Sequence, residues 1–229
     1  MKPLSVLYED NHLIIINKPS KALVQGDKTG DAPISDDVKQ YIKDKYNKPG
    51  DVFLGVIHRL DRPVSGIVIF ARTSKALTRM NEMFKDKEIQ KTYWAVVQNP
   101  PKETSGTITT YTIKDSLLLK AKVYSKEVPK SKICVLDYKV IQESDRYYLL
   151  EVIPHTGRYH QIRSQLSYIG SPIKGDIKYG YPRTNPNGSI QLHARRIEFI
   201  HPVSKEKITV TAPVPKDDVL WQSFETAKD

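Results

Sequence analysis

The chain contains a single cysteine, Cys134, among 229 residues. A lone thiol excludes an intramolecular disulfide and any zinc site built on several cysteines. Set within Ile133-Cys134-Val135-Leu136, it is expected to be a buried small hydrophobe. Long apolar runs are missing as well. Leu13 to Ile16 and Ile67 to Phe70 are the longest aliphatic stretches, far too short to span a bilayer. No charged-then-apolar leader opens the sequence, so a cytoplasmic protein without a membrane partner is expected. Repeats, low-complexity tracts and linkers are absent too, which implies a single domain over residues 1–229.

Several kinds of chemistry lack their signatures. There is neither a G-x-x-x-x-G-K-[ST] phosphate loop nor a G-x-G-x-x-G fingerprint, so no nucleotide cofactor is expected. The six histidines include no H-E-x-x-H pair, and His155 and His160 are five residues apart, off one helical face. His58 and Asp61 are flanked by Arg59 and Arg62, which would repel a cation, so no metal site is expected. Ser65 has no G-x-S-x-G elbow around it, which argues against a serine hydrolase.

Positive charge is plentiful. Lys plus Arg number 36 against 26 Asp plus Glu, a net charge of +10. Such a surface attracts a polyanion, and a nucleic acid is the usual one. With 39% apolar and 27% charged residues, the chain is nonetheless that of a folded globular protein.

Secondary-structure signals alternate irregularly, which predicts an α+β fold. Val6 to Lys18 reads as two strands around an Asp10-Asn11 turn, ended by Pro19. Ser35 is the expected N-cap of a helix burying Val38, Tyr41 and Ile42. Thr73 or Ser74 should cap a second, with Leu77, Met80 and Phe84 on one face. Lys91 to Val97 reads as a strand, and residues 107–153 as a meander with segments near 107–113, 132–141 and 146–153. Lys120, Lys122, Lys126, Lys130 and Lys132 suggest a solvated basic edge. A third helix is expected after Gly157, burying Ile162, Leu166 and Ile169 and stopping at Gly170, with Arg163 on its polar side. Ile197 to Ile200 and Ile208 to Thr211 form a hairpin signal around His201-Pro202-Val203-Ser204.

One polar stretch stands out: His58-Arg59-Leu60-Asp61-Arg62-Pro63-Val64-Ser65-Gly66, set against the apolar run Ile67 to Ala71. Nearby opposite charge favours the ionised form of a carboxylate, and apolar walls that desolvate it make it a strong nucleophile or base. A structural Asp–Arg bridge in a loop is the plain alternative. The stretch resembles the H-R-L-D-x-x-[ST]-S-G motif of the RluA-type pseudouridine synthases. Three further stretches match that family in order: Leu7-Tyr8-Glu9-Asp10-Asn11-His12-Leu13 through Asn17-Lys18-Pro19; Lys91-Thr92-Tyr93; and His155-Thr156-Gly157-Arg158-Tyr159-His160-Gln161-Ile162-Arg163, continuing to Gly170-Ser171-Pro172-Ile173-Lys174-Gly175-Asp176.

The resemblance implies the pseudouridine synthase fold, a mixed and mostly antiparallel sheet with flanking helices and a central basic cleft. It also implies an isomerase that needs no cofactor and acts as a monomer on tRNA or large-subunit rRNA. Residue by residue, Asp61 would be the catalytic aspartate, Tyr93 the ring that stacks on the target uracil, and Arg163 the partner of Asp61. Arg59 would enter the RNA where the target nucleotide has swung out. His58, Lys18, Arg62, Arg158, His160 and Gln161 complete the expected RNA-binding set. Lys18 and Arg158 suit phosphate contacts, whereas His160 and Gln161 equally suit organisation of a helix start. Many relatives carry an S4-like domain ahead of the first motif, and its start within ten residues of Met1 leaves no room for one here. A further departure is Gln165, where many relatives have histidine. An RNA-binding protein of the same fold without catalysis is the alternative reading.

Overall fold

The computed structural model describes residues 4–27 and 30–225. In chain order the elements are β1 (Val6–Glu9), β2 (Leu13–Lys18), α1 (Ile34–Lys45), β3 (Gly55–Val56), β4 (Ser65–Ala71), α2 (Ser74–Lys85), β5 (Gln90–Val97), β6 (Ser105–Asp115), β7 (Lys120–Tyr124), β8 (Lys132–Glu143), β9 (Tyr148–Pro154), α3 (Gln161–Tyr168), a 3-10 turn (Ile177–Tyr179), β10 (Leu192–Ile200), β11 (Lys207–Thr211) and α4 (Val219–Phe224). They form two compact units, each assembled from two separated segments. The first holds residues 1–90 and 194–215, the second 91–193 and 216–229. No helix among the described residues is long and apolar enough to cross a membrane.

In the first unit the strand order is β1-β2-β4-β10, with β3 added to β4 and β11 to β10. The aliphatic runs explain the centre: Leu13 to Ile16 and all of β4 are buried, as befits strands covered on both faces. Asp10 makes the first turn, its Oδ1 accepting the N–H groups of His12 and Leu13, both at 2.7 Å. The buried Glu9 carboxylate ties α1 to this sheet. It accepts from Tyr41 Oη at 2.9 Å, Lys45 Nζ at 2.7 Å and Tyr46 Oη at 2.8 Å. Helix α1 departs from the sequence expectation: it begins at Ile34 behind Pro33, and Ser35 is a buried residue of its first turn rather than its cap. Proline's fixed φ starts the helix there without a side-chain acceptor. Thr73 does cap α2, accepting from Ala76 N at 3.2 Å.

The second unit contains the antiparallel series β5-β9-β8-β6-β7. Cys134 is buried on β8, as its apolar neighbours imply. β7 is the edge strand, and Lys122, Lys126, Lys130 and Lys132 are exposed as expected, with Lys120 partly so. α3 ends where Gly170 adopts φ +88°, with Gly170 N–H bonded to Ser167 O and Ser171 N–H to Leu166 O. Its other side corrects the expectation of a polar, solvated face. Residues 161–166 are all buried, including Gln161, Arg163 and Gln165, whose side-chain N–H groups find internal acceptors.

Gly66 fixes how the motif loop enters β4. It has φ +112°, and a Cβ placed there would lie 2.4 Å from Ala194 O and 2.5 Å from Ala194 N on β10. Backbone at that distance cannot yield as a flexible side chain could. Gly66→Ala should therefore cost about 2–4 kcal/mol in urea unfolding. Gly157→Ala, whose Cβ meets nothing within 4 Å, should stay within about 0.5 kcal/mol of wild type. Equal stabilities for the two variants would contradict the close approach.

Candidate active site

The loop from His58 to Gly66 is held by its own backbone and by groups beneath it in the first unit. His58 Nε2 accepts the Ile69 N–H at 3.1 Å, and its ring stacks on Phe84 at 5.0 Å between centroids. An imidazole nitrogen that accepts carries no proton, so the outer proton of neutral His58 is on Nδ1. Val64 N–H closes a turn on Asp61 O at 3.0 Å. Lys18, at the end of β2 opposite Gly66, is 0% exposed. Its ammonium donates to Pro19 O and Ala22 O, both at 2.9 Å, and to Arg62 O at 3.3 Å. Burial pulls this amine down to about 7, against the opposing pull of Asp61, while the positive charge of Arg62 lowers it further. Arg62 turns its guanidinium to Asp31, 2.7 Å away on the surface. Arg59 is exposed, and no bond joins its guanidinium to another described residue. Asp61 itself is half-buried.

The second unit carries Tyr93 on β5, half-buried and in register with Val152 of β9. It also carries the segment from His155 to Arg163. Thr156 and Gln161 pin that segment to β8: Thr156 Oγ1 accepts from Val135 N at 2.9 Å and donates to Gln161 Oε1 at 2.8 Å. Gln161 Oε1 also accepts from Arg158 N at 3.0 Å, and Gln161 Nε2 donates to Val135 O at 3.1 Å. Arg158 is exposed, with Nε on Ile133 O at 3.3 Å.

Arg163 is buried and clasped by Asp176. Nε donates to Asp176 Oδ2 at 2.7 Å and Nη2 to Oδ1 at 2.9 Å, a two-pronged fit of fork to carboxylate. Its Cζ lies 5.1 Å from the centre of the Tyr179 ring, which supplies a cation–π face. Asp176 opens the 3-10 turn, so the ion pair places that ring. Tyr179 Oη accepts from Ala121 N at 2.7 Å and lies 2.9 Å from His160 Nδ1. Burial raises this phenol to about 12, so it keeps its proton. His160 holds left-handed backbone at φ 50° and stacks on Tyr159, centroids 3.8 Å apart.

A family model described as RNA pseudouridylate synthase matches residues 12–168. The chain belongs to that family. It is 34% identical to the tRNA pseudouridine synthase C of Haemophilus influenzae, over 96% of each chain. To the ribosomal large subunit pseudouridine synthase C of Vibrio vulnificus it is 31% identical, over 97% of this chain and 70% of that one. In fold it is similar to Human RNA Pseudouridylate Synthase Domain Containing 4, with a TM-score of 0.80 at 22% identity, covering 98% of this chain and 94% of that one. Family and fold therefore agree with the RluA-type resemblance of the motifs, and the chain is an RNA pseudouridine synthase, an isomerase.

The synthase motifs divide sharply by what their side chains touch. Lys18, expected at a phosphate, is sealed from solvent and spends its three hydrogens on backbone carbonyls. Gln161, also expected on RNA, is 5% exposed, with both amide atoms bonded within the protein. His58 is engaged by β4 and Phe84. All three brace the loops, and Lys18 and Gln161 are buried as they do so. Arg59 and Arg158 remain at the surface. Gln165, the departure from the family pattern, is 0% exposed, so it does not reach RNA. Its Nε2 bonds Ile108 O and Thr110 Oγ1 at 3.0 Å and Cys134 O at 3.2 Å, joining α3 to β6 and β8. Sequence reasoning assigned no role to Asp176 or Tyr179. The buried carboxylate two residues after Ile-Lys of the last motif was the available signal for Asp176, since such a charge requires a partner.

The Lys18 amine carries a pH signature. Unfolded, a lysine keeps its proton to about 10.4, whereas folded Lys18 releases it near 7. Between those values the unfolded chain binds the extra proton, so stability rises with pH. The folding penalty is complete below the folded value and is relieved as pH climbs toward the unfolded one. Lys18→Met removes this dependence. Urea unfolding should show the wild type gaining stability relative to the variant from about pH 7 to 9.5. A constant difference across that window would refute the buried, deprotonating amine.

Proposed function

We propose that this synthase converts uridine to pseudouridine in tRNA or large-subunit rRNA with Asp61 as its catalytic carboxylate. Tyr93 stacks on the detached uracil, Arg163 is the charge partner of Asp61, and Arg59 enters the RNA in place of the extruded nucleotide. The protein works as a single catalytic domain, as a cytoplasmic monomer without a nucleotide cofactor. The observation that carries this reading is how the motif loop is spent. His58, Lys18 and the Arg62 main chain are committed to holding the loop, and the Arg62 side chain is paired with Asp31. In the same loop Asp61 is a half-buried acid whose carbonyl closes the turn to Val64, and Arg59 is an exposed cation.

The chemistry fits such residues. The N1–C1′ bond breaks, the base turns, C5 joins C1′, the C5 proton leaves and N1 gains one. Nothing is oxidised or hydrolysed, so the reaction balances without a co-substrate. Two routes are open to an aspartate: attack on C1′ or removal of the C2′ proton. A tyrosine ring gives the uracil a flat apolar surface on which to reorient. Arg163, the charge partner proposed for Asp61, is oriented by Asp176. Extruding the nucleotide costs a few kcal/mol and is least costly from an unpaired loop. Relatives named for tRNA and for the large ribosomal subunit support both target classes.

Release of tritium from RNA tritiated at uridine C5, prepared from cells lacking the enzyme, tests the assignment. Asp61→Asn should lower turnover by roughly 10³-fold or more while RNA affinity changes little. Undiminished turnover would remove Asp61 from its role. RNA binding without release by either protein would favour an inactive RNA-binding protein of this fold.

A further inference from the structure

The hairpin between β6 and β7 ends in Leu117-Leu118-Leu119, and these side chains are 95%, 61% and 53% exposed. Three adjacent leucines at a solvent-facing tip are costly unless something covers them. Nor is the tip a slack loop. Asp115 Oδ1 accepts the N–H groups of Leu117 at 3.0 Å and Leu118 at 2.9 Å, while Asp115 Oδ2 pairs with Lys122 at 2.9 Å. Leu119 takes left-handed backbone at φ 49°. Its carbonyl accepts from Tyr159 Oη at 3.3 Å and Lys178 Nζ at 3.2 Å. Backbone bonds at both ends therefore hold the leucines outward.

The surroundings identify the occupant by charge. Residues 114–132 contain six lysines and two carboxylates, Asp115 and Glu127. Lys114 lies 4.8 Å from the centre of the Tyr159 ring, and that ring stacks on His160. An apolar point within a cationic collar suits a polyanion whose interior is flat and apolar. Apolar side chains of this kind wedge between nucleic-acid bases while lysines neutralise the flanking phosphates.

We propose that residues 116–119 form an RNA wedge: Leu117 and Leu118 insert against unstacked bases of the substrate, at a place separate from the reacting uridine. The proposal rests on the synthase reading for the identity of its partner. It makes the hairpin a reader of RNA shape, selecting substrates with an opened stack at the distance the hairpin reaches.

The test compares wild type with Leu117→Ser/Leu118→Ser and Leu117→Phe, using fluorescently labelled bulk tRNA and large-subunit rRNA from cells lacking the enzyme. Binding is measured across a salt series and tritium release is followed in parallel. The serine variant should lose roughly five- to fiftyfold in affinity for at least one RNA, the scale of lost base stacking. Its slope of log Kd against log salt should not change, because no phosphate contact is removed. Leu117→Phe should retain wild-type affinity. Equal affinity of the serine variant and wild type for both RNAs would overturn the wedge. So would a slope that falls together with affinity, since the tip would then only place lysines. Loss of self-association, or of binding to anionic phospholipid vesicles, with RNA affinity intact would overturn it in favour of another occupant. Wild type that binds RNA but releases no tritium would refute the synthase reading, and the binding comparison would still decide the wedge.

Discussion

The buried pair of Arg163 and Asp176 is the contact on which the second unit depends. Two ions this deeply buried are tolerable only when each satisfies the other, and removing one partner from such a pair typically costs about 3–5 kcal/mol. Here the fit is bidentate and backed by the Tyr179 ring. The consequences run outward in steps. Asp176 starts the 3-10 turn, the turn carries Tyr179, and its hydroxyl bonds both His160 and the Ala121 amide. Ala121 belongs to the edge strand β7, and Lys178 of the same turn bonds Leu119 at the hairpin tip. A single ion pair thus sets the arginine of α3, the ring that His160 bonds and the root of an exposed hairpin.

The first unit solves a different problem: how to hold a polar loop beside strands that are apolar on both faces. Its answer is to turn motif side chains inward onto main chain. Lys18 gathers three carbonyls, His58 caps an amide of β4, and Gly66 lets the chain pass within contact of β10. A charged amine in that position would be expensive, and its lowered proton affinity is the physical consequence. Conformational freedom is thereby removed from the loop backbone.

Much of this was legible in the residues. The aliphatic runs mark β2 and β4, Asp10 marks the first turn, Thr73 the cap of α2 and Gly170 the end of α3. The lysine-rich stretch after residue 119 correctly announced an edge. Errors arose where a polar residue has the same letter whether it meets ligand or backbone. Lys18 and Gln161 were expected on RNA and are buried with their polar groups bonded within the protein, because burial depends on contacts that no local pattern records. Ser35 was the best capping side chain nearby, yet Pro33 started the helix two residues earlier. α3 defied its amphipathic pattern because its polar residues bond to strands 26 to 57 residues away in sequence, as Gln165 does to Ile108 and Gln161 to Val135. The leucine tip gave no periodic signal, and only the hairpin geometry shows it to face solvent.

Orientation of Arg163 by Asp176 is the claim from which the rest follows, and single-turnover kinetics of Asp176→Asn at saturating RNA tests it most directly. Asparagine keeps the shape and removes the charge, so the guanidinium loses its fixed direction. The rate of tritium release should fall by at least about tenfold, with RNA affinity within about twofold of wild type. A folded variant that turns over at the wild-type rate would contradict the role given to this ion pair.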